Sequence, residues 1–248
     1  MKDDKLRIED IILRFNNKPF FTYKELYDFY SEKETGLKIG TFKWRIYKLK
    51  EKGIIKDLKR GIYKLGSLKK FIPLISPRAK KLYNYLSKIY PDIQIYIWET
   101  SWLHDFMIHQ PFNSFIIIET DKDILEPAFY KLKEKGEQIY INPKKDYIEK
   151  YISNENVIII GSVIQGSPNI KIGKIRIPKI EKILVDVFFE KDLFRNFQGQ
   201  ELINIFKRIF EEYTINLTTL LRYARKRGIK DDIKNFLLNN IQIGIDFL

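Results

Sequence analysis

The stretch Gly40–Leu65, GTFKWRIYKLKEKGIIKDLKRGIYKL, decides how the first part of the chain is expected to fold. Its first half places apolar side chains at the spacing of one helix face, and Gly53 is a typical residue for ending that helix. Its second half reads as two short strands, Ile54–Leu58 and Ile62–Leu65, joined by a tight turn that contains a glycine. The stretch therefore predicts a helix followed by a β-hairpin.

Two further helices are predicted before this stretch. The first covers Leu6–Phe15, where apolar residues recur at helical spacing. The second begins with a capping box, in which Thr22 is the N-cap residue and Glu25 stands three positions later. Three helices followed by a basic hairpin are typical of a winged helix-turn-helix domain, which we assign to residues 1–70.

The positive charge of the chain is concentrated in the same region. The 248 residues carry a net charge of +13. Residues 1–70 hold 19 Lys and Arg against 10 Asp and Glu, a net charge of +9, and residues 71–248 hold 26 against 22, a net charge of +4. The electrostatic field of such concentrated positive charge favours a polyanionic partner such as nucleic acid. The alternative is a basic surface that contacts only water.

The predicted third helix divides into a core face and an exposed face. Phe42, Ile46 and Leu49 form the core stripe. On the other side of the helix, the cationic side chains are expected to contact phosphates, and the aromatic side chains are expected to lie near sugars or bases. This is the arrangement of a helix that binds in the major groove. Arg45, at the margin, is expected to reach a guanine or a phosphate. With the hairpin turn included, the candidate DNA contacts are Thr41, Lys43, Trp44, Arg45, Tyr47, Lys48, Lys59 and Arg60.

A second domain is predicted after a linker, residues 71–77, that contains two prolines. Strands and helices alternate through residues 78–248, which predicts an α/β domain with a mostly parallel sheet and a helical C-terminal region, residues 198–248. Within it, a helix is predicted over Asp146–Ile152, and Pro178 is expected at the first turn of a helix. The chain as a whole is predicted to be a multi-domain α/β protein.

The composition excludes several kinds of site and compartment. The chain has no cysteine, so disulfide bonds, thiolate zinc sites, iron–sulfur clusters and cysteine nucleophiles are excluded. His104 and His109 point in different directions on a helix, and there is no Walker A loop, so we expect no metal site and no cofactor. Without a signal peptide or a bilayer-spanning apolar run, the sequence predicts a cytoplasmic protein with no membrane partner.

One group of carboxylates gives an alternative function. Glu119 and Asp121 follow a predicted strand and superficially resemble the acidic cluster of a nuclease, but the lysine at position 122 has the wrong spacing. We therefore expect solvated loop charges here. A metal-dependent nuclease or a nucleotidyltransferase-like enzyme acting on nucleic acid remains the alternative to a protein without enzymatic activity.

Two other segments contain residues that could serve in catalysis. Gly161 and Ser162 follow a strand, as in a nucleotidyltransferase, but Val163–Ile180 contains no acidic residue that could hold the required Mg²⁺. Lys182 and Asp186 stand one helical turn apart, which predicts a structural ion pair.

A second basic surface is predicted near the end of the chain. Arg222, Arg225 and Lys226 share one face of a helix. The partner of this face is DNA, an acidic protein or nothing beyond water.

Several of these segments together resemble a known family. They are Leu49–Ile55 (LKEKGII), Lys59–Tyr63 (KRGIY), Pro178–Asp186 (PKIEKILVD) and Leu221–Gly228 (LRYARKRG). The combination is similar to the AbiEi-type antitoxins of bacterial type IV toxin–antitoxin and abortive-infection systems. The similarity is strongest to a Bacteroidetes-type branch that shares the Trp98–Pro111 stretch.

The resemblance implies a transcriptional regulator that takes part in phage defence. Its winged helix would bind double-stranded operator DNA and repress its own operon, and its C-terminal domain would oppose a nucleotidyltransferase toxin encoded nearby. On the matching positions, Lys43, Arg45, Lys48 and Arg60 would contact DNA, and no catalytic residue is implied. A winged helix that serves only for protein interaction remains open, as do the operator and the oligomeric state.

Overall fold

The protein is a mixed α/β structure. Its computed structural model describes residues 6–16, 18–66, 70–143 and 157–241, so the helix predicted over Asp146–Ile152 lies outside the described residues. The N-terminal unit, residues 6–66, consists of α1 (Ile8–Phe15), β1 (Phe21–Thr22), α2 (Tyr23–Ser31), α3 (Ile39–Glu51), β2 (Ile55–Lys59) and β3 (Ile62–Leu65).

The elements of the remaining chain are α4 (Pro77–Ile89), β4 (Ile95–Glu99), a 3₁₀ helix (Thr100–Phe106), β5 (Phe115–Thr120), α5 (Lys122–Glu134), β6 (Ile139–Ile141), β7 (Val157–Ser162), β8 (Asn169–Ile172), β9 (Ile175–Pro178), α6 (Ile180–Phe189), α7 (Gln200–Glu212), α8 (Leu217–Lys226) and α9 (Lys230–Ile241). Within the described ranges, no helix combines the length and the apolar character that crossing a membrane requires.

Local signals define the helices of the N-terminal unit. The predicted capping box is confirmed, because the Glu25 N–H donates to Thr22 Oγ1 over 2.9 Å and the Thr22 N–H donates to the Glu25 carboxylate over 2.7 Å. Helix α3 ends before Gly53, which adopts a φ of 71° that side chains other than glycine rarely tolerate. The three strands form an antiparallel sheet in the order β1-β3-β2.

The prediction of a mostly parallel sheet is wrong. In the sheet β4-β5-β7-β6, the strand β5 pairs in parallel with β7, as does β6, but β4 pairs with β5 in antiparallel fashion. The other described pairings are all antiparallel. A parallel connection must carry the chain back along the sheet, as α5 does between β5 and β6, which lie on either side of β7. The 3₁₀ helix and loop between β4 and β5 do not do so, because the Phe115 N–H donates to Thr100 Oγ1 over 2.8 Å and β5 therefore starts beside the end of β4.

Helices cover both faces of this mixed sheet. Successive residues of a strand point to opposite faces, and the central strands are buried on both. Ile117 and Ile159 pack with α6 to α9, and Ile116 and Ile158 pack with α4 and α5. The C-terminal helices therefore form one layer and the two earlier helices form the other.

A hairpin that the sequence analysis did not predict follows β7. Strands β8 and β9 pair around a turn at Gly173, and β9 lies against β4. Pro178 is the last residue of β9, and α6 begins at Ile180 after the N-cap residue Lys179. The expectation that Pro178 starts the helix is therefore wrong: its lack of an N–H is tolerated at the end of a strand.

The chain between the N-terminal unit and α4 packs closely on the α/β region. The ring of Phe71 makes edge contacts with Trp102 and Tyr213, at centroid distances of 6.5 Å and 5.3 Å. The Trp102 indole N–H donates to the carbonyl of Leu74 over 3.0 Å. The predicted linker, residues 71–77, is thus a docked segment.

Strand β3 is buried on both of its faces. Tyr63 packs into the core of the N-terminal unit, whereas Lys64, on the other face, lies with Leu58 against Phe210 and Leu217 of the C-terminal helices. Only 7% of Lys64 is exposed. Burial lowers the pKa of the Lys64 ammonium to about 8, even though the charge of Glu211 acts to raise it.

Replacing Lys64 by Met is expected to stabilise the protein. Below pH 8 the folded protein holds a buried ammonium that the unfolded chain exposes, so its removal should raise the free energy of unfolding by about 1–3 kcal/mol. The advantage should shrink as the pH rises from about 8 to the ordinary lysine value of 10.5, because the wild-type side chain is then neutral in the folded state. Denaturant unfolding of Lys64→Met, with Lys80→Met as an exposed control, measures both effects. A destabilised variant, or a gain that does not depend on pH, would contradict the prediction.

Candidate nucleic-acid interface

The surface of α3 that faces away from the core carries aromatic side chains. Phe42, Ile46 and Leu49 are buried, which confirms the predicted core stripe. On the opposite side, Tyr47 is 61% exposed and Trp44 is 44% exposed, so neither is packed into the α/β region. Two large planar groups therefore stand side by side on an open helix face.

Polar and cationic side chains border this aromatic pair. Thr41 and Lys43 are exposed. Lys48 is half-buried, lies 5.5 Å from the centroid of the Tyr47 ring and forms an ion pair with Glu51 one turn later. The Glu51 carboxylate raises the pKa of Lys48, which keeps this side chain charged. We call Thr41, Lys43, Trp44, Tyr47 and Lys48 the α3 face.

Arg45 does not belong to the α3 face. It is only 5% exposed, its guanidinium carbon lies 4.6 Å from the centroid of the Tyr30 ring, and its Nη2 atom lies 2.7 Å from the Glu34 carboxylate. At about 100° per residue its direction falls about 40° beyond Leu49, at the margin of the core stripe, but Tyr30 and Glu34 cover it there. A side chain held in this way is not free to reach a guanine or a phosphate.

The hairpin turn brings two more of the candidate contacts together. Arg60 is exposed and Lys59 is half-buried, and the left-handed φ of 80° at Gly61 closes the turn between them and β3. Because the C-terminal helices cover one face of the hairpin, its tip is the part that remains available to a long polyanion.

The second basic surface lies on α8. Arg222, Arg225 and Lys226 are all exposed, as their common helix face predicts. The Lys226 ammonium donates to the backbone carbonyl of Gln165 over 2.6 Å, so its position is fixed. Helix α8 also contacts β2, which brings this surface near the N-terminal unit.

Gly40 is a feature of the α3 face that the sequence analysis missed. It lies in the first turn of α3, on the same side as Trp44 and Tyr47, and a β-carbon placed there would meet no atom of the protein within 4 Å. The fold therefore does not require a glycine at this position. Glycine in a helix costs about 1 kcal/mol relative to alanine, so nothing within the fold accounts for its presence here.

The carboxylates considered for catalysis lie apart from each other. Glu119 is buried, and both of its oxygens accept from Lys182 Nζ at 2.7 Å, so the expectation of a solvated loop charge is wrong for this residue. Asp121 instead accepts from the backbone N–H of Gln94. Glu119 is the next-to-last residue of the buried strand β5 and lies on the face of α6, where a charge needs a partner.

The predicted ion pair between Lys182 and Asp186 is confirmed and belongs to a larger buried cluster. Asp186 also accepts from the Tyr223 hydroxyl over 2.9 Å and from Arg227 Nη2 over 2.7 Å. Burial alone would lower the pKa of Lys182, but the charges of Asp186 and Glu119 outweigh it and raise that pKa. The cluster joins two of the segments that carry the family resemblance, Pro178–Asp186 and Leu221–Gly228.

The two histidines are not near each other. His104 lies beside the ring of Phe197, and burial lowers its pKa. His109 is exposed and contacts Glu201, whose carboxylate also accepts the backbone N–H groups of Ile108 and His109. Over residues 6–16, 18–66, 70–143 and 157–241, no group of three His, Asp or Glu side chains could hold a metal ion.

The chain matches the profile of a protein family. The profile of a family of unknown function, DUF6577, matches residues 41–243, from the first turn of α3 to two residues beyond α9. None of the curated proteins matches the chain. Because the matched residues make up well over half of the 248, the chain belongs to the DUF6577 family.

Proposed function

We propose that the N-terminal unit is a winged helix that binds double-stranded DNA, and that the protein is a transcriptional regulator. The observation that carries the proposal is the α3 face, in which an exposed aromatic pair is bordered by lysines. Among the described residues, no element covers this face of the helix. An exposed Trp and Tyr are costly in water, and they suit contact with sugars and base edges while lysines bind phosphates.

The topology of the N-terminal unit supports this proposal. Three helices, a strand between the first two and a hairpin after the third are the elements of a winged helix, with α3 as the recognition helix and the β2–β3 turn as the wing. Arg60 and Lys59 at the turn would then contact the backbone beside the groove that α3 enters. The net charge of +9 in residues 1–70 supplies the attraction that brings the unit to DNA.

Gly40 refines the proposed contact. With hydrogen as its side chain, the first turn of α3 can approach a phosphate closely enough for backbone N–H groups to donate to it. The proposed DNA contacts are therefore the α3 face, the hairpin turn and the backbone at Gly40. Arg45 is left out, because Glu34 and Tyr30 hold it in the core.

For the C-terminal region we propose the role that the antitoxin resemblance implies, opposition to a nucleotidyltransferase toxin. This proposal is supported by the contact between two of the segments that resemble antitoxins. Pro178–Asp186 and Leu221–Gly228 meet in one buried cluster. Repression of its own operon would combine the two activities in one protein.

Removal of two cations from the α3 face should weaken DNA binding. We expect Lys43→Ala with Lys48→Ala to lower the affinity for the protein's own promoter and to reduce the slope of log K against log salt by about 1.8. Fluorescence anisotropy across salt concentrations measures both. The matched control is Lys80→Ala with Lys81→Ala, which removes the same charge from exposed positions on α4. Equal salt slopes in the two double variants would refute the groove contact.

Substitution of Gly40 by Ala should separate stability from binding. The free energy of unfolding of the variant is expected to be about 0.5–1 kcal/mol higher, because alanine is the better helix former. The variant is also expected to bind promoter DNA less tightly. Denaturant unfolding and the same anisotropy titration measure the two quantities. A variant that gains stability and keeps its full DNA affinity would show that no partner approaches the backbone at this position.

Co-expression tests the proposed toxin partner. If a nucleotidyltransferase encoded beside the gene arrests growth, co-expression of this protein should restore growth. The Lys43→Ala, Lys48→Ala variant should protect equally well, since the α3 face is not the proposed toxin contact. Growth arrest that persists with the wild-type protein would exclude the antitoxin role and leave DNA binding untouched.

A further inference from the structure

A cavity of about 400 Å³ opens at the carboxyl ends of β5 and β7. These two parallel strands end side by side, with α5 packed on one face of the sheet and α6 on the other. Open α/β sheets bind ligands outside the carboxyl ends of their strands. The volume is in the range of small-molecule sites.

The cavity combines an apolar floor with an acidic mouth. Trp98 and Phe194 line the floor with their rings 5.7 Å apart, and Ile117 and Ile159 complete it from the sheet. Glu190 and Asp192 stand at the mouth. Aromatic walls under carboxylates attract cations through both the ring faces and the charges.

The acidic character of the cavity contrasts with the rest of the protein. Four carboxylates line it, Glu119, Asp186, Glu190 and Asp192, against one cation, Arg227. Lys182 and Arg227 already neutralise the two deepest carboxylates. One oxygen of Glu190 forms an ion pair with Arg227, and Asp192 forms no ion pair within the described part of the chain. Unused negative charge therefore remains at the mouth of a cavity in a chain of net charge +13.

An independent observation concerns the indole of Trp98. This side chain is 1% exposed and lines the cavity, and its Nε1–H finds no acceptor among the described residues. It is the one atom of the described lining that is buried without a hydrogen-bond partner. A buried donor without an acceptor destabilises the protein, and a ligand with an acceptor atom would remove that cost.

We propose that this cavity binds a small organic cation, an amine or a guanidinium, that also carries a hydrogen-bond acceptor. The cationic group lies between Glu190 and Asp192 at the mouth, and the acceptor receives the Trp98 indole N–H at the floor. A phosphorylated ligand is disfavoured, because its charge would face the carboxylates. The proposal does not depend on DNA binding by the N-terminal unit.

Calorimetric titration of the full chain with a matched pair of probes tests the charge requirement. Nα-acetyl-arginine amide carries a guanidinium and amide acceptors, and Nα-acetyl-citrulline amide has nearly the same shape without the charge. We expect the arginine probe to bind at least tenfold more tightly. Asp192→Asn should weaken its binding about fivefold, whereas Glu126→Gln, at an exposed acid on α5, should leave it unchanged.

The acceptor requirement is tested separately through Trp98→Phe, which keeps an aromatic ring and removes the N–H. This variant should bind the arginine probe about fivefold more weakly and should bind agmatine, a cation without an acceptor, as the wild type does. Equal binding of both matched probes, equal loss in Asp192→Asn and Glu126→Gln, or no heat from any cation at about 10 mM would overturn the proposal. Asp192 is exposed, so the result for its variant stands even if Trp98→Phe does not fold.

Discussion

The α/β region depends on one buried charge, the ammonium of Lys182, which has no exposed surface. Such a cation is tolerated only when its acceptors are fixed around it, and removal of one partner of a buried pair costs about 3–5 kcal/mol. The ammonium donates to Glu119 at the end of β5 and to Asp186 in the next turn of α6. Tyr223 and Arg227 then hold Asp186 from α8. A strand and two helices that are far apart in the sequence are thereby fixed in one arrangement, and the cavity at the strand ends takes its shape from it.

Much of the fold could be predicted because its signals are local. The capping box at Thr22, the glycine after α3 and the apolar stripe of Phe42 act within a few residues of themselves, and the structure confirms each one. Local signals also account for α4, which has Pro77 in its first turn and apolar residues at helical spacing. The faces of α3 followed from periodicity alone, so the candidate interface was largely readable before the structure.

The remaining features depend on partners that the sequence does not place. Arg45 is buried because Tyr30 and Glu34 surround it, and Glu119 is buried because Lys182, 63 positions later, meets it. The direction of β4 depends on its connection to β5, which stays beside one end of the sheet because Thr100 contacts Phe115. The β8–β9 hairpin differs, since apolar residues alternate on both sides of Gly173 and the signal was present. Its end is ambiguous in the sequence, because Pro178 suits a helix start as well as an edge strand.

Strand β3 belongs to two cores at once, with Tyr63 in one and Lys64 against the other. A strand placed in this way cannot shift in one core without disturbing the second. Repacking of α7 or α8 where they meet Lys64 would therefore also displace the hairpin and its turn at Arg60. The position of the turn thus depends on two cores built from distant parts of the sequence.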